Sequence, residues 1–220
     1  MQRILLKSVR FAGRSNRVLI REVNQETISS YEAHVAEYIE GTPQEVTGDV
    51  KRWIDATLQD LPLDANILEF GSAFGRDAAY IEEKGYRIQR TDATQGFVDY
   101  LREHGHEAGQ LNAITDELTD NYDLVFADAV LLHFTAKEVE VVLGKVLRSL
   151  SEGGRFSFSL KQGEGEEWSE AKLGAPRYFR YWQESEVIDL LKDVGYSDVD
   201  ITDGSFGRSN AKWLHIIAKK

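Results

Sequence analysis

The stretch Glu69 to Ala78, EFGSAFGRDA, constrains the chain more than any other. Gly71 and Gly75 bracket a run with almost no side-chain bulk; the apolar, β-prone NIL precedes it and the helix-forming RDAAYIEEK follows. That order predicts a strand, a tight turn and a helix. Glycine accepts positive φ and lets a ligand approach the main chain, while the following helix aims unpaired N–H groups at any anionic group. The turn therefore has the makings of a ligand cradle.

The rest of the chain supplies a frame for it. Thr27 to Glu40 puts Tyr31, Val35, Tyr38 and Ile39 at helical spacing before Gly41 and Pro43, and Val46 to Gln59 reads as a second helix. Strands are expected near Asn66–Phe70, Tyr86–Thr91, His106–Leu111, Tyr122–Ala127 and Arg155–Leu160, alternating with helical runs. Such alternation implies an α/β fold with a parallel sheet covered on both faces. Thr135 and Glu138 form a capping-box signature, Gly163 to Pro176 reads as a long polar loop, and Ser185 to Val194 as a last helix stopped by Gly195. DVDIT and KWLHIIA give two terminal strands.

Composition excludes several classes. With 220 residues, 42% hydrophobic, the chain suits one soluble domain, and the absence of cysteine excludes disulfides and thiolate metal sites. No 18-residue apolar run is available for a membrane span. The formal charge of -11 opposes attachment to DNA, which depends on Lys and Arg displacing counterions. His104 and His106 have no further ligand cluster around them, so no metal is expected. The charge is uneven: residues 1–25 hold Arg3, Lys7, Arg10, Arg14, Arg17 and Arg21 against Glu22, leaving 20 basic and 36 acidic residues elsewhere. That arm has the composition of a transit peptide, and reads otherwise as a hairpin of RILLKSVRF and RVLIREV or as a tail. The expected division is a basic extension over 1–25 and a single domain over 26–220.

Spacing decides between the cofactors that use a glycine turn. A dinucleotide fingerprint starting at Gly71 would need a small residue where Arg76 stands. The pattern present is acid-x-G-x-small-x-G: Glu69, Gly71, Ala73, Gly75. It resembles the first motif, D/E-x-G-x-G-x-G, of the class I S-adenosylmethionine-dependent methyltransferases, with Ala73 where that family usually has glycine. YRIQRTDAT ends the second strand with Asp92, QLNAIT offers Asn112 and Ala113, YDLVFADAVLLHF is similar to the fourth-strand motif, and LSEGGRFSFSLK to the fifth strand and its turn. The resemblance covers roughly Thr27 to Lys220 in the family's order.

It implies a Rossmann-like fold, a mostly parallel seven-stranded sheet with an antiparallel last strand, and S-adenosyl-L-methionine as cofactor. The implied enzyme is cytoplasmic and methylates O, N or S of a small molecule. The resemblance puts the methionine part of the cofactor along Gly71, Ser72, Ala73, Gly75 and Arg76, its ammonium near Glu69, its ribose on Asp92, and adenine beside Ala93, Asn112 and Ala113. Tyr31 and Asp128 complete the cofactor set. His133 is the candidate proton acceptor and, with Lys161, Tyr178 and Arg180, borders the substrate. SLKQGEGEEW with RYFRYWQESEV is similar to a small-molecule subgroup carrying a K-x-G-x-G-E loop and an F-x-Y segment after the fifth strand. Plainer readings stand beside these: Glu69 and Asp92 as solvated strand ends, His133 as a turn histidine, Tyr31 as core, and Lys161, Glu164, Glu166, Arg177 and Arg180 as a solvated charged loop. A non-catalytic adenosyl-binding regulator and an NAD-dependent enzyme are the alternatives.

Overall fold

The computed structural model describes residues 16–205 and 211–220. Strands β1 (Ile67–Phe70), β2 (Ile88–Asp92), β3 (Ala108–Gln110), β4 (Tyr122–Ala127) and β5 (Leu150–Gln162) run parallel in the order β3-β2-β1-β4-β5. Beyond β5 come β9 (Lys212–Lys219), antiparallel to it, and β8 (Asp198–Ser205), antiparallel to β9. These seven strands form the expected sheet with its antiparallel last strand. A hairpin of β6 (Glu166–Ser169) and β7 (Arg177–Trp182) is added where Lys161 and Gln162 of β5 pair with Tyr181 and Trp182.

Strand alternation sends successive side chains to opposite faces, and both faces are apolar. Ile67, Leu124, Phe126 and Ile217 pack with Val50, Trp53 and Ile54 of α3 (Gly48–Leu58) and Ala78 and Ile81 of α4 (Arg76–Glu83). Their neighbours Leu68, Val125, Ala127 and Ile216 pack with Val139, Val142 and Val146 of α6 (Ala136–Ser149) and Val187 and Leu191 of α7 (Glu184–Val194). Helix α5 (Gln95–Glu103) buries Phe97, Val98 and Leu101. Thr135 and Glu138 form the capping box in full, each side chain bonded to the other's backbone N–H.

Three expectations are corrected. RVLIREV is not a hairpin strand: with no breaker before TISSYE it runs into one helix, α1 (Asn16–Glu32), which crosses the expected boundary at residue 25. The rest of the basic arm, Arg3 to Arg14, lies outside the described residues. The Thr27–Glu40 helix is interrupted at Ala33 and His34, where the His34 ring takes the Ser30 carbonyl at 2.9 Å, and resumes as α2 (Val35–Glu40). The Gly163–Pro176 loop contains β6, whose partner strand supplies the periodicity that EEWS lacks. Among the described residues no helix is long and apolar enough to cross a membrane.

Candidate active site

The chain passes outward from β1 through β2 to β3, then returns to lay β4 and β5 on the other side of β1. The order reverses between β1 and β4, and ligands of open α/β sheets bind beyond the strand ends at such a point. The glycine turn stands there. Gly71 has φ +67° and Gly75 φ +87°; a Cβ on Gly71 would meet Val130 Cγ2 at 2.4 Å, so the close approach to the segment after β4 requires glycine. Ala73 keeps a glycine-like φ of +46°, which answers the departure from the motif: the methyl group is accepted at the cost of strain rather than by reshaping the turn. Ala129, beside the end of β4, is also left-handed at φ +56°, held by Ser159 Oγ, which accepts its N–H at 2.8 Å. Strain thus collects on the two sides of one cavity.

The end of β2 is laced to this turn. Asp92 Oδ2 accepts the Ala73 N–H at 3.0 Å and Oδ1 the Thr94 N–H at 2.8 Å. Ser72 N–H donates to the Thr91 carbonyl at 2.9 Å, and Thr91 N–H to Ser72 Oγ at 3.1 Å. Asp92 is 6% exposed, and desolvation raises its carboxyl to about 6 against the two backbone bonds. Arg76 donates to Asp77 at 2.8 Å and to Asp128 at 3.0 Å, and Ser159 Oγ donates to the other Asp128 oxygen at 2.6 Å. Burial, then the charge of Asp128, pushes Asp77 up to about 6.

Two cavities meet at the turn. A narrow one of about 90 Å³ lies between Gly71, Ala73, Asp92, Ala93, Asn112 and Ala113 on the sheet side and α1 above. A wider one of about 530 Å³ extends from the turn, past Ser72, Arg76 and Lys161, to the β6–β7 hairpin. Tyr31, Tyr38, Asp128 and His133 line both. Of the residues singled out in the sequence, Glu69, Gly75, Tyr178 and Arg180 line neither.

Each has a physical reason. Glu69 is 2% exposed and sits beneath the turn, where Ser72 Oγ donates to it; desolvation, then Asp77, raises its carboxyl to about 8. It braces the turn instead of facing the cavity. Gly75 is the left-handed residue before α4, where a Cβ would meet Leu101 at 2.9 Å. On β7 the alternation falls the other way: Arg177 and Phe179 face the cavity, while Tyr178 donates to Glu166 and Arg180 stacks on Trp182 at 4.4 Å. Arg177, expected in a solvated loop, is 5% exposed. Asn24, Thr27, Tyr38, Phe97 and Lys172 also line the cavities and were not singled out for the site; Tyr38 gave a signal only as part of a helical face.

His133 follows β4 in a single 3₁₀ turn, Leu131–His133. Its Nδ1 lies 2.6 Å from the Tyr178 carbonyl and so carries the proton, leaving Nε2 to accept the Tyr31 hydroxyl at 2.8 Å. Arg177 Nη1 donates to the same Tyr31 oxygen at 3.2 Å. Burial, then the charges of Arg177 and Lys161, holds the imidazole well below its ordinary range, so it is neutral.

Replacing Gly71 by Ala forces a left-handed methyl into Val130 and should cost about 2–4 kcal/mol of stability, whereas Ala73→Gly should change it by at most about 1 kcal/mol, in the favourable direction. Denaturant unfolding of both variants measures the contrast. Unfolded, Glu69 ionises near 4.5, whereas folded it stays protonated to about 8. Stability therefore falls as pH rises through that window, with Asp92 and Asp77 adding the same sign up to about 6. Between pH 5 and 8 the melting temperature of Glu69→Gln should fall less than that of the native chain; an equal or larger fall would contradict the buried, protonated acid.

Residues 68–158 match the family described as Methyltransferase domain, a span that begins in β1 and ends within β5. No match was found among curated protein sequences. In fold the chain is similar to 1,6-didemethyltoxoflavin-N1-methyltransferase from Burkholderia thailandensis, solved with 1,6-didemethyltoxoflavin and S-adenosylhomocysteine: TM-score 0.71, 18% identity, over 96% of this chain and 93% of that one. Haemonchus contortus phosphoethanolamine N-methyltransferase 2, solved with S-adenosyl-L-methionine, has TM-score 0.65 and 11% identity over 86% of this chain and 57% of that one. The [4+2]-cyclase SpnF has TM-score 0.66 and 15% identity over 90% and 95%. The matched span contains the glycine turn, Asp92, Asn112 and Asp128, and the sheet around it has the neighbours' architecture. The chain thus carries a methyltransferase-domain match over residues 68–158 and has a fold similar to that of S-adenosylmethionine-dependent methyltransferases.

Proposed function

We propose that the chain transfers a methyl group from S-adenosylmethionine to an oxygen, nitrogen or sulfur of a small molecule held under the β6–β7 hairpin. The observation that carries this reading is the bond from the Ala73 N–H to Asp92, which sets a bare main-chain bend beside a buried carboxylate at the mouth of the reversal point. The residues fit an adenosyl group. Each Asp92 oxygen accepts one N–H and keeps a second acceptor direction, as a sugar diol requires. Ala93, Asn112 and Ala113 would border the base, and Gly71 to Ala73 would pass the methionine part.

Bound S-adenosylmethionine supplies a methyl on a sulfonium whose thioether leaves unaided, so this chain has chiefly to position and to exclude water. Holding reactants in near-attack geometry supplies roughly 7–11 kcal/mol, against about 3–5 kcal/mol from a general base. Glu69 acts on the cofactor through Ser72 and the turn. His133, neutral with Nε2 as its acceptor atom, takes a proton from an acceptor hydroxyl or amine through the Tyr31 hydroxyl or in its place.

Cavities that take molecules of this size run about 300–1,000 Å³, a range the wide cavity falls in and the narrow one, at about 90 Å³, does not. The roof of the narrow one is α1, whose buried described side chains, Asn24, Thr27 and Ser30, are all polar. They reach Asn112 at 2.8 Å, the Tyr178 N–H at 3.1 Å and the Pro176 carbonyl at 2.6 Å. A cover held by hydrogen bonds of about 1 kcal/mol each can lift to admit the cofactor and close on it.

Titration calorimetry with S-adenosylhomocysteine should give one site, weakened at least tenfold by Asp92→Ala; unchanged affinity would remove the ribose role, and binding of NAD instead would overturn the assignment. His133→Ala should lower turnover by about 10²–10⁴ and alter its pH profile; a profile and rate left intact would exclude the proton role. Amide exchange in α1 should slow when S-adenosylhomocysteine binds, and unaltered exchange there would contradict the moving cover.

A further inference from the structure

The wide cavity brings together cations that form no ion pair with a carboxylate among the described residues. Lys161 at the end of β5, Arg177 on β7 and Lys172 in the loop between β6 and β7 all line it, and none is in an ion pair among the described residues. Arg76, the fourth cation of the lining, is already bound to Asp77 and Asp128. Arg177 is buried, and among the described residues its guanidinium makes a single hydrogen bond, to Tyr31, and its Nε has no partner. The Lys161 ammonium rests 4.0 Å over the Phe179 ring, and the Arg177 guanidinium lies 5.1 Å from the same ring. Lys172 is exposed overall, but its ammonium turns in, 3.9 Å over Tyr38 and 2.6 Å from Thr42 Oγ1.

Sequence geometry produces this convergence. Gly163 and Gly165 of the K-x-G-x-G-E loop turn the chain from β5 into the hairpin, so that Lys161 faces the inward residues of β7, Arg177 and Phe179. Folding buries charge only where something pairs with it, and a chain of net charge -11 has ample carboxylates that could have been used. We infer that the missing partner is the acceptor itself: a small molecule bearing a carboxylate or phosphate, its oxyanion held by Arg177, Lys161 and Lys172 and its apolar body laid against Phe179. Desolvation and then the charge of Arg177 hold both lysines below their ordinary range, Lys172 to about 8 with Arg76 adding to the effect; Glu167 opposes this at Lys161 without cancelling it. A bound anion relieves that repulsion, and the planar guanidinium suits two oxygens at once.

This rests on the methyl-transfer reading, and the test separates the two. Full-length protein saturated with S-adenosylhomocysteine is titrated with benzoate, phenyl phosphate and the neutral benzamide. At least one anion should bind tenfold or more tightly than benzamide, and Lys161→Gln/Lys172→Gln should remove that margin while S-adenosylhomocysteine affinity stays within about twofold. Benzamide binding as well as the anions, no anion binding, or anions displacing S-adenosylhomocysteine would overturn the inference, the last by giving these cations to the cofactor's own carboxylate. If S-adenosylhomocysteine itself does not bind, the methyl-transfer reading fails, and the same titrations on the chain alone still decide whether the pocket prefers anions.

Discussion

One hydrogen bond organises this end of the molecule: the N–H of Ala73 given to the carboxylate of Asp92. Its donor belongs to the turn after β1 and its acceptor to the last residue of β2, so it closes the mouth of two adjacent parallel strands into a single rim. Around it Ser72 and Thr91 exchange two further bonds, and Glu69 secures Ser72 from below. The rim can be rigid because its donors and acceptors are satisfied within it, and it can be a site because Asp92 still has acceptor capacity toward the cavity.

The arrangement concentrates costs that the apolar sheet has to offset. Three acids, Glu69, Asp77 and Asp92, are pressed out of water and rise toward neutrality; Ala73 and Ala129 take left-handed backbone; Arg177 keeps a nitrogen with no partner among the described residues. Both faces of the central strands are filled by Ile, Leu, Val and Phe, and that burial tolerates a polar, strained edge at one end. Strain and perturbed acids lie where β1, β2 and β4 end, which is where the proposed function has cofactor and acceptor meet.

Much of this was legible in the sequence because the signals are local. The glycine turn, the acid closing β2 and the Thr135–Glu138 cap each fix their structure within a few residues. What was not legible depended on partners distant in the chain. RYFRYW alternates aromatic and basic residues on both faces, so only the pairing of Lys161 with Tyr181 decides that Arg177 and Phe179 turn inward while Tyr178 and Arg180 turn out. EEWS has no apolar period and becomes a strand because β7 lies beside it. Glu69 was visible as an acid, but its depth beneath the turn follows from packing, and the polar buried face of α1 reads from sequence as any helix.

The central claim is that the bend at Gly71 to Ala73 and the Asp92 carboxylate together form the berth for the adenosyl cofactor. A crystal structure with S-adenosylhomocysteine tests it most directly. The account predicts density for the ribose with both hydroxyls within hydrogen-bonding distance of Asp92 and the amino-acid part along the glycine turn. Ligand density anywhere else, or a ribose that leaves Asp92 bonded only to its two backbone N–H groups, would contradict it.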